Sequence, residues 1–162
     1  HERFAFLCAL AKGQDAGDRP NVFNEMLKAR GIPEDQNSFI RCAHDVSSAR
    51  DTFGVYLDGL SGPRPTALIA MNDITAIGAM RAASERGIRV PEDLSVIGVD
   101  NIPLGECLPR QLTTIAQPLE ELADATAELI LDRLKDKEAA TTPKSHKFKA
   151  KLLVKETTAP PA

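Results

Sequence analysis

The chain has 162 residues, of which 43% are apolar and 27% charged, and its net charge is −3. That length fits one domain or two small ones and can bury a core without staples; the composition excludes disorder, collagen-like repeats and coiled coil. Cys8, Cys42 and Cys107 are odd in number, widely spaced and free of any CxxC pair, which argues against a disulfide scaffold and for a reducing, cytoplasmic setting. No apolar run approaches the ~18 residues of a membrane helix, so no membrane association is expected. The abrupt opening HERFAFLCAL, without an initiator methionine, reads as a piece of a longer protein.

Apolar strands alternate with amphipathic helices along the chain, which points to a parallel sheet flanked by helices. Phe4–Ala9 is a continuous apolar run, suited to a strand buried on both faces. After a polar loop, Val22, Phe23, Met26, Leu27 and Ala29 recur at helical spacing, and Gly31 follows as a C′ residue. Ser38–Cys42 is a weaker strand. Ser47 is placed to cap a helix carrying Phe53, Tyr56, Leu57 and Leu60, which stops at Gly62-Pro63. Thr66–Met71 is the third strand. Asp73 stands at a capping position before Ile74, Ile77, Ala79, Met80 and Ala83, and Gly87 closes that helix. Leu94–Val99 is the fourth strand.

The last third of the sequence changes character. Leu112–Ala116 is a short strand, and Pro118 fits the first position of a long helix with Glu120 and Glu121 in its first turn, running to about Lys137. Leu119, Leu122, Thr126, Ile130 and Leu134 form its apolar stripe, widened by Ala123, Ala127 and Leu131. Non-helical joints at 101–111 and 138–146 flank this strand–helix unit, as when a chain leaves one lobe, visits another and returns. Seven of the nine lysines lie between 135 and 155. In KFKAKLLV (147–154), Lys147, Lys149 and Lys151 share one strand face, opposite Phe148, Ala150 and Leu152. Lysine on an outer face protects an edge strand, and no interleaved aromatics offer base stacking.

Motifs for phosphate cradles, metalloproteases and nucleophile elbows are absent, so no catalytic residues, cofactor or metal site are expected. Cys42 and His44 are two apart, but two ligands do not make a zinc site. What remains is a pattern at strand ends. Open α/β sheets bind ligands outside the carboxyl ends of their strands. Asn72-Asp73 follows the third strand, Asp100-Asn101 the fourth, and Arg19, with Gln14 and Asp15, lies in or beyond the loop after the first. Donors and acceptors of this kind suit a polyhydroxylated ligand. Asp73 reads more simply as a helix cap; Asn72 and Asp100 could form Asx turns, and Arg19 could be a solvated helix residue.

At these residues the sequence resembles a known family. RPTALIAMNDITAIGAMRAASERGIRVPEDLSVIGVDNIP (64–103), LTTIAQPLEELADATAELILDRL (112–134) and the ending LLVKETTAPP (152–161) are similar to the effector-binding domain of lactose-repressor (LacI/GalR) regulators. HERFAFL is similar to the first strand of that domain's C-terminal lobe. The resemblance implies a Rossmann-like lobe of a periplasmic-binding-protein-like fold. Residues 1–102 would form this lobe, 103–147 a strand–helix crossover unit of the N-terminal lobe, and 148–162 the returning strand and tail. Most of the N-terminal lobe and the helix-turn-helix would lie outside this sequence.

The resemblance carries effector contacts onto Arg19, Asn72 and Asp100. It places His44 and Asp45 where family members often have an aromatic stacking residue, and it puts Ile77 and Met80 on a dimer interface. Val22 stands where a small residue is common. The implied function is a non-enzymatic sensor of a sugar or related polar metabolite. It would act as a homodimer that reaches operator DNA only through the helix-turn-helix. The rival readings are a periplasmic sugar-binding protein of a transport system and an α/β enzyme without a visible catalytic constellation.

Overall fold

The computed structural model describes residues 1–10, 14–135 and 145–161, with no side chains described between 14 and 18. Strands β1 (Phe4–Ala9), β2 (Asn37–Cys42), β3 (Ala67–Ala70), β4 (Ser95–Val99), β5 (Thr113–Ala116) and β6 (Lys151–Leu153) form one sheet in the order β2-β1-β3-β4-β5-β6. The first five are parallel, and β6 runs antiparallel on the edge beside β5. The helices are α1 (Gln14–Lys28), α2 (Val46–Asp58), α3 (Asp73–Ser84) and α4 (Leu119–Lys135).

Alternation along β1 divides the molecule into two layers. Ala5 and Leu7 point into the main core, with Leu68, Ala70 and Val96 from the sheet and Phe53, Ala76 and Ala79 from α2 and α3. Those two helices pack closely because their contact is built from small residues. A Cβ on Gly78 would overlap the Val46 carbonyl oxygen and sit 2.7 Å from Ala49 Cβ. On the other face, Phe4, Phe6, Phe23 and Phe39 form an edge-packed aromatic cluster under α1, with ring centroids 5.3–6.3 Å apart.

Helix boundaries differ from the sequence reading in specific ways. α1 starts at Gln14, so part of the expected polar loop is helix, and Pro20 lies inside it. Polar QDAGD carries no apolar periodicity, which is why its helical state is invisible to pattern reading. Asp45, not Ser47, caps α2: its carboxylate accepts from Ser48 N–H at 2.7 Å, and the helix ends at Asp58, ahead of Gly62-Pro63. Asn72, not Asp73, caps α3, its Oδ1 accepting from Thr75 N–H at 2.9 Å. Gly31 and Gly87 take φ of +75° and +68° just past their helices, as C′ positions require.

The expected unit 103–147 divides. Its strand half is built into this sheet: β5 pairs with β4 and β6. Thr113 N–H donates to Thr157 Oγ1, whose hydroxyl in turn donates to the Val96 carbonyl. A 3₁₀ turn at Pro103–Glu106 makes the connection from β4. The helix half stands apart. No residue of α4 is buried, and Leu119, Ile130, Leu131 and Leu134 are all more than half exposed. Its expected end near Lys137 and the joint at 138–146 fall largely outside the described residues. The expected strand at 148–154 shortens to Lys151–Leu153; Lys147, Lys149 and Lys151 are exposed, but so are Ala150 and Leu152 of the expected opposite face, so the alternation does not hold.

A turn between α3 and β4 is fixed by Asp93, which accepts from both the guanidinium and the backbone N–H of Arg89 at 2.8–3.0 Å. The Arg89 guanidinium first, then its N–H, hold the Asp93 carboxyl well below the usual carboxylate range. A depressed folded value contributes stability above the unfolded value of about 3.9, and that stability is lost as pH falls below it. In urea titrations the gap between wild type and Asp93→Asn therefore narrows on going from about pH 6 to about pH 2.5. A gap independent of pH contradicts this account.

Candidate ligand-binding rim

The carboxyl ends of β1, β3, β4 and β5 converge on one rim of the sheet. Arg19, in the second turn of α1, turns back over it and donates from Nη1 to the Met71 carbonyl at 3.1 Å. This brings its guanidinium next to Asn72. The Asn72 oxygen is occupied by Thr75, accepting from both its N–H and its hydroxyl at 2.9 and 2.8 Å. Its Nδ2 has no protein partner among the described residues.

Asp100 follows β4 and is held in an unusual backbone state. Asp100 and Asn101 have φ of +111° and +55°, conformations that cost a non-glycine residue on the order of 1–3 kcal/mol and persist only where neighbours enforce them. Here the enforcement is dense. Asp100 N–H donates to the Ile115 carbonyl, Asn101 N–H to Thr114 Oγ1, and Ile102 N–H to Asp73 Oδ2 at 2.9 Å. Lys155 Nζ reaches Asn101 Oδ1 at 3.4 Å and Glu106 at 3.3 Å. The Asp100 carboxylate accepts from Gln117 Nε2 at 2.7 Å.

Gln117 is the rim residue that the sequence reading passes over. It stands at the carboxyl end of β5, immediately before Pro118 and α4, so the strand-end rule applied to a fourth strand finds it. With Arg19 it lines a cavity of about 600 Å³ on the α1 side of the sheet, whose other walls are apolar, including Phe6, Phe23, Met71 and Phe148. Val22 lies in the same wall. Arg19 and Gln117 are the polar side chains of this apolar trough; Asn72 and Asp100 do not line it and stand just beyond, beside Met71 and bonded to Gln117 respectively.

The remaining expected residues sit elsewhere. His44 is exposed after β2, and Asp45 next to it spends its carboxylate on the α2 cap; neither lines the cavity. Ile77 and Met80 are half-buried on α3 and line a separate cleft of about 690 Å³ with Ile88, Val90 and Leu108. Asp73 is 1% exposed. Burial, and secondarily the nearby Asp100 charge, push its carboxyl up, against the opposing hydrogen bonds from Thr114, Ile102 and Asn101. Burial also raises the Cys42 thiol to about 11, which makes it a core group and not a nucleophile at neutral pH. Among the described residues, no three His, Cys, Asp or Glu side chains are grouped to hold a metal ion, and no helix is long and apolar enough to cross a membrane.

Comparison with known proteins gives a consistent set of relatives. The family model for the periplasmic binding protein-like domain matches residues 1–158. The HTH-type transcriptional regulator DegA of Bacillus subtilis is 37% identical over 117 residues, covering 71% of this chain and 34% of that protein. The HTH-type transcriptional repressor PurR of Photobacterium profundum is 34% identical over 137 residues, covering 85% and 40%. The crystal structure of a LacI family transcriptional regulator from Enterococcus faecium with bound ribose superimposes with a TM-score of 0.86 at 29% identity, covering 99% of this chain and 57% of that one. The chain therefore spans well under half the length of these two curated relatives.

Proposed function

The chain belongs to the periplasmic binding protein-like domain family, among its LacI-type regulators, and on that premise we propose that it is the effector-sensing lobe of a transcriptional regulator. The observation that carries the reading is the rim. Arg19 from α1, and Asn72, Asp100 and Gln117 from the ends of β3, β4 and β5, stand along one rim, and a guanidinium fork with short polar side chains is suited to ligand hydroxyls. The ligand class is a sugar or a related small polar metabolite, and ribose in the Enterococcus faecium relative supports that class. His44 and Asp45, past the end of β2, stand outside the cavity, and Asp45 caps α2. The sheet and its three packed helices are the C-terminal lobe, and α4, with its exposed apolar stripe, crosses to the N-terminal lobe.

The mechanism is population shift: a ligand shared between two lobes favours one arrangement of them, and the dimer then presents its DNA-binding heads differently. Self-association runs through the α3 face at Ile77 and Met80. Operator DNA is met by a helix-turn-helix of the whole protein, in the cytoplasm, and this lobe does no chemistry of its own. Regulator relatives favour this over a transport protein.

Calorimetric titration with ribose, then with a panel of pentoses, hexoses and other polar metabolites, tests the site. Asp100→Ala and Arg19→Ala each weaken the best ligand by at least about tenfold, the loss expected for a charge-assisted hydrogen bond. A ligand bound equally well by both variants places its site elsewhere.

A further inference from the structure

We propose that the buried Asp73 carboxylate is the positioning residue of the rim: by accepting from Ile102 N–H and the Thr114 hydroxyl it locks the left-handed Asp100–Asn101 turn and so presents the Asp100 carboxylate. The inference rests on the reading of Asp100 as a ligand acceptor, but its structural half stands on geometry alone.

Groups from β5 and from the segments that follow β3 and β4 meet at this carboxylate. Asp73 opens α3 directly after β3, and Thr114 on β5 donates to its Oδ1 at 2.6 Å. The same Thr114 oxygen accepts from Asn101 N–H at 3.2 Å, and Ile102 N–H donates to Asp73 Oδ2 at 2.9 Å. Two successive amides of the turn are thus tied, one directly and one through a hydroxyl, to a single side chain. The approach is possible because β4 carries Gly98 beside it, where a Cβ would overlap Asp73 Oδ1. A carboxylate accepts two such bonds where a helix cap needs none of them, since Asn72 already caps α3. Burying a charged acceptor is costly unless its partners are in place. The partners present are the turn's own amide and the hydroxyl beneath it.

Nuclear magnetic resonance on the ¹⁵N-labelled chain reads the outcome through Gln117, whose side-chain amide reports its bond to Asp100. In Asp73→Asn those amide signals move to the positions seen in Asp100→Ala, and the Ile102 amide exchanges about tenfold faster or more, while the Leu68 and Val96 amides in the core stay protected. Thr114→Val moves the Gln117 signals the same way, and Thr114→Ser restores them. If Asp73→Asn does not fold, the Thr114 pair decides. Unchanged Gln117 and Ile102 signals in the folded variants overturn the proposal, as does a Thr114→Ser variant that fails to restore them. Titration with ribose and the same panel separates the two readings. If wild type binds none of them while the Gln117 response holds, the ligand reading falls and the positioning role stands. If wild type binds and Asp73→Asn binds equally tightly, the positioning role falls.

Discussion

Phe53→Ala is expected to lower the stability of the chain by about 3–5 kcal/mol. Phe53 has no exposed surface and is among the largest fully buried side chains. It enters the core from α2, stacked on Tyr56 with ring centroids 5.8 Å apart. The core layer it joins mixes small residues, Ala76, Ala79, Ala82 and Ala83 from α3 and Ala5 and Ala70 from the sheet, with aliphatics such as Leu7, Ile40 and Leu68. Small residues draw the two helices together but leave little side-chain volume to relax into a vacancy, so truncation leaves a cavity. The loss is large against the ~5–15 kcal/mol total of a typical domain. Phe53→Leu keeps most of the volume and should cost much less. Urea titration with constant m checks both; a Phe53→Ala loss below about 1 kcal/mol would mean that α2 does not close this face of the sheet.

How far the fold could be read from sequence depends on which kind of signal each element carries. β1, β3 and β4 are apolar runs between turn residues, and α3 is a run of apolar and small residues behind a capping pair and ahead of Gly87, so their placement follows from pattern. Pattern is silent on three other matters. The first turns of α1 are polar and contain no stripe, so the helical state of Arg19 is a tertiary result. Asn72-Asp73 offers two capping residues in a row, and only geometry decides that the first caps α3 while the second reaches across to Ile102 and Thr114. The pairing of β5 with β4 depends on Thr113 and Thr114, polar residues buried because they bond to Thr157 and Asp73. A binary pattern reads such threonines as surface.

The site shows the same division. Arg19, Asn72 and Asp100 were legible because they sit just beyond strands or on the element that follows. Gln117 obeys the same rule, but the resemblance assigns β5 to another lobe and so draws attention away from its strand end. The resemblance alone puts Asp45 near a ligand, and its carboxylate is committed to Ser48 N–H. The positive φ of Asp100 has only a weak sequence signal, since aspartate and asparagine enter the left-handed region occasionally where glycine does so routinely. That state exists only because the surrounding amides have partners waiting.

Those partners make Gly98→Ala the second large effect expected, a loss of about 3 kcal/mol or more. The new methyl would overlap Asp73 Oδ1 and press within 3.1 Å of both Asp73 Cα and Leu112 Cδ2. Overpacking of this kind costs typically about 1–3 kcal/mol. Leu112 and Asp73 are both buried and have no free direction in which to yield. If the carboxylate shifts, Thr114 Oγ1 and Ile102 N–H lose their acceptor, and each buried group left unpaired adds about 1–3 kcal/mol. The damage should therefore exceed that of Gly62→Ala, where a Cβ meets nothing within 4 Å. Melting and urea curves of the two variants, with the Ile102 amide followed alongside, measure the difference. A Gly98→Ala chain as stable as Gly62→Ala would mean that β4 and α3 can part without cost, and the close approach of Asp73 would then not be what holds the turn.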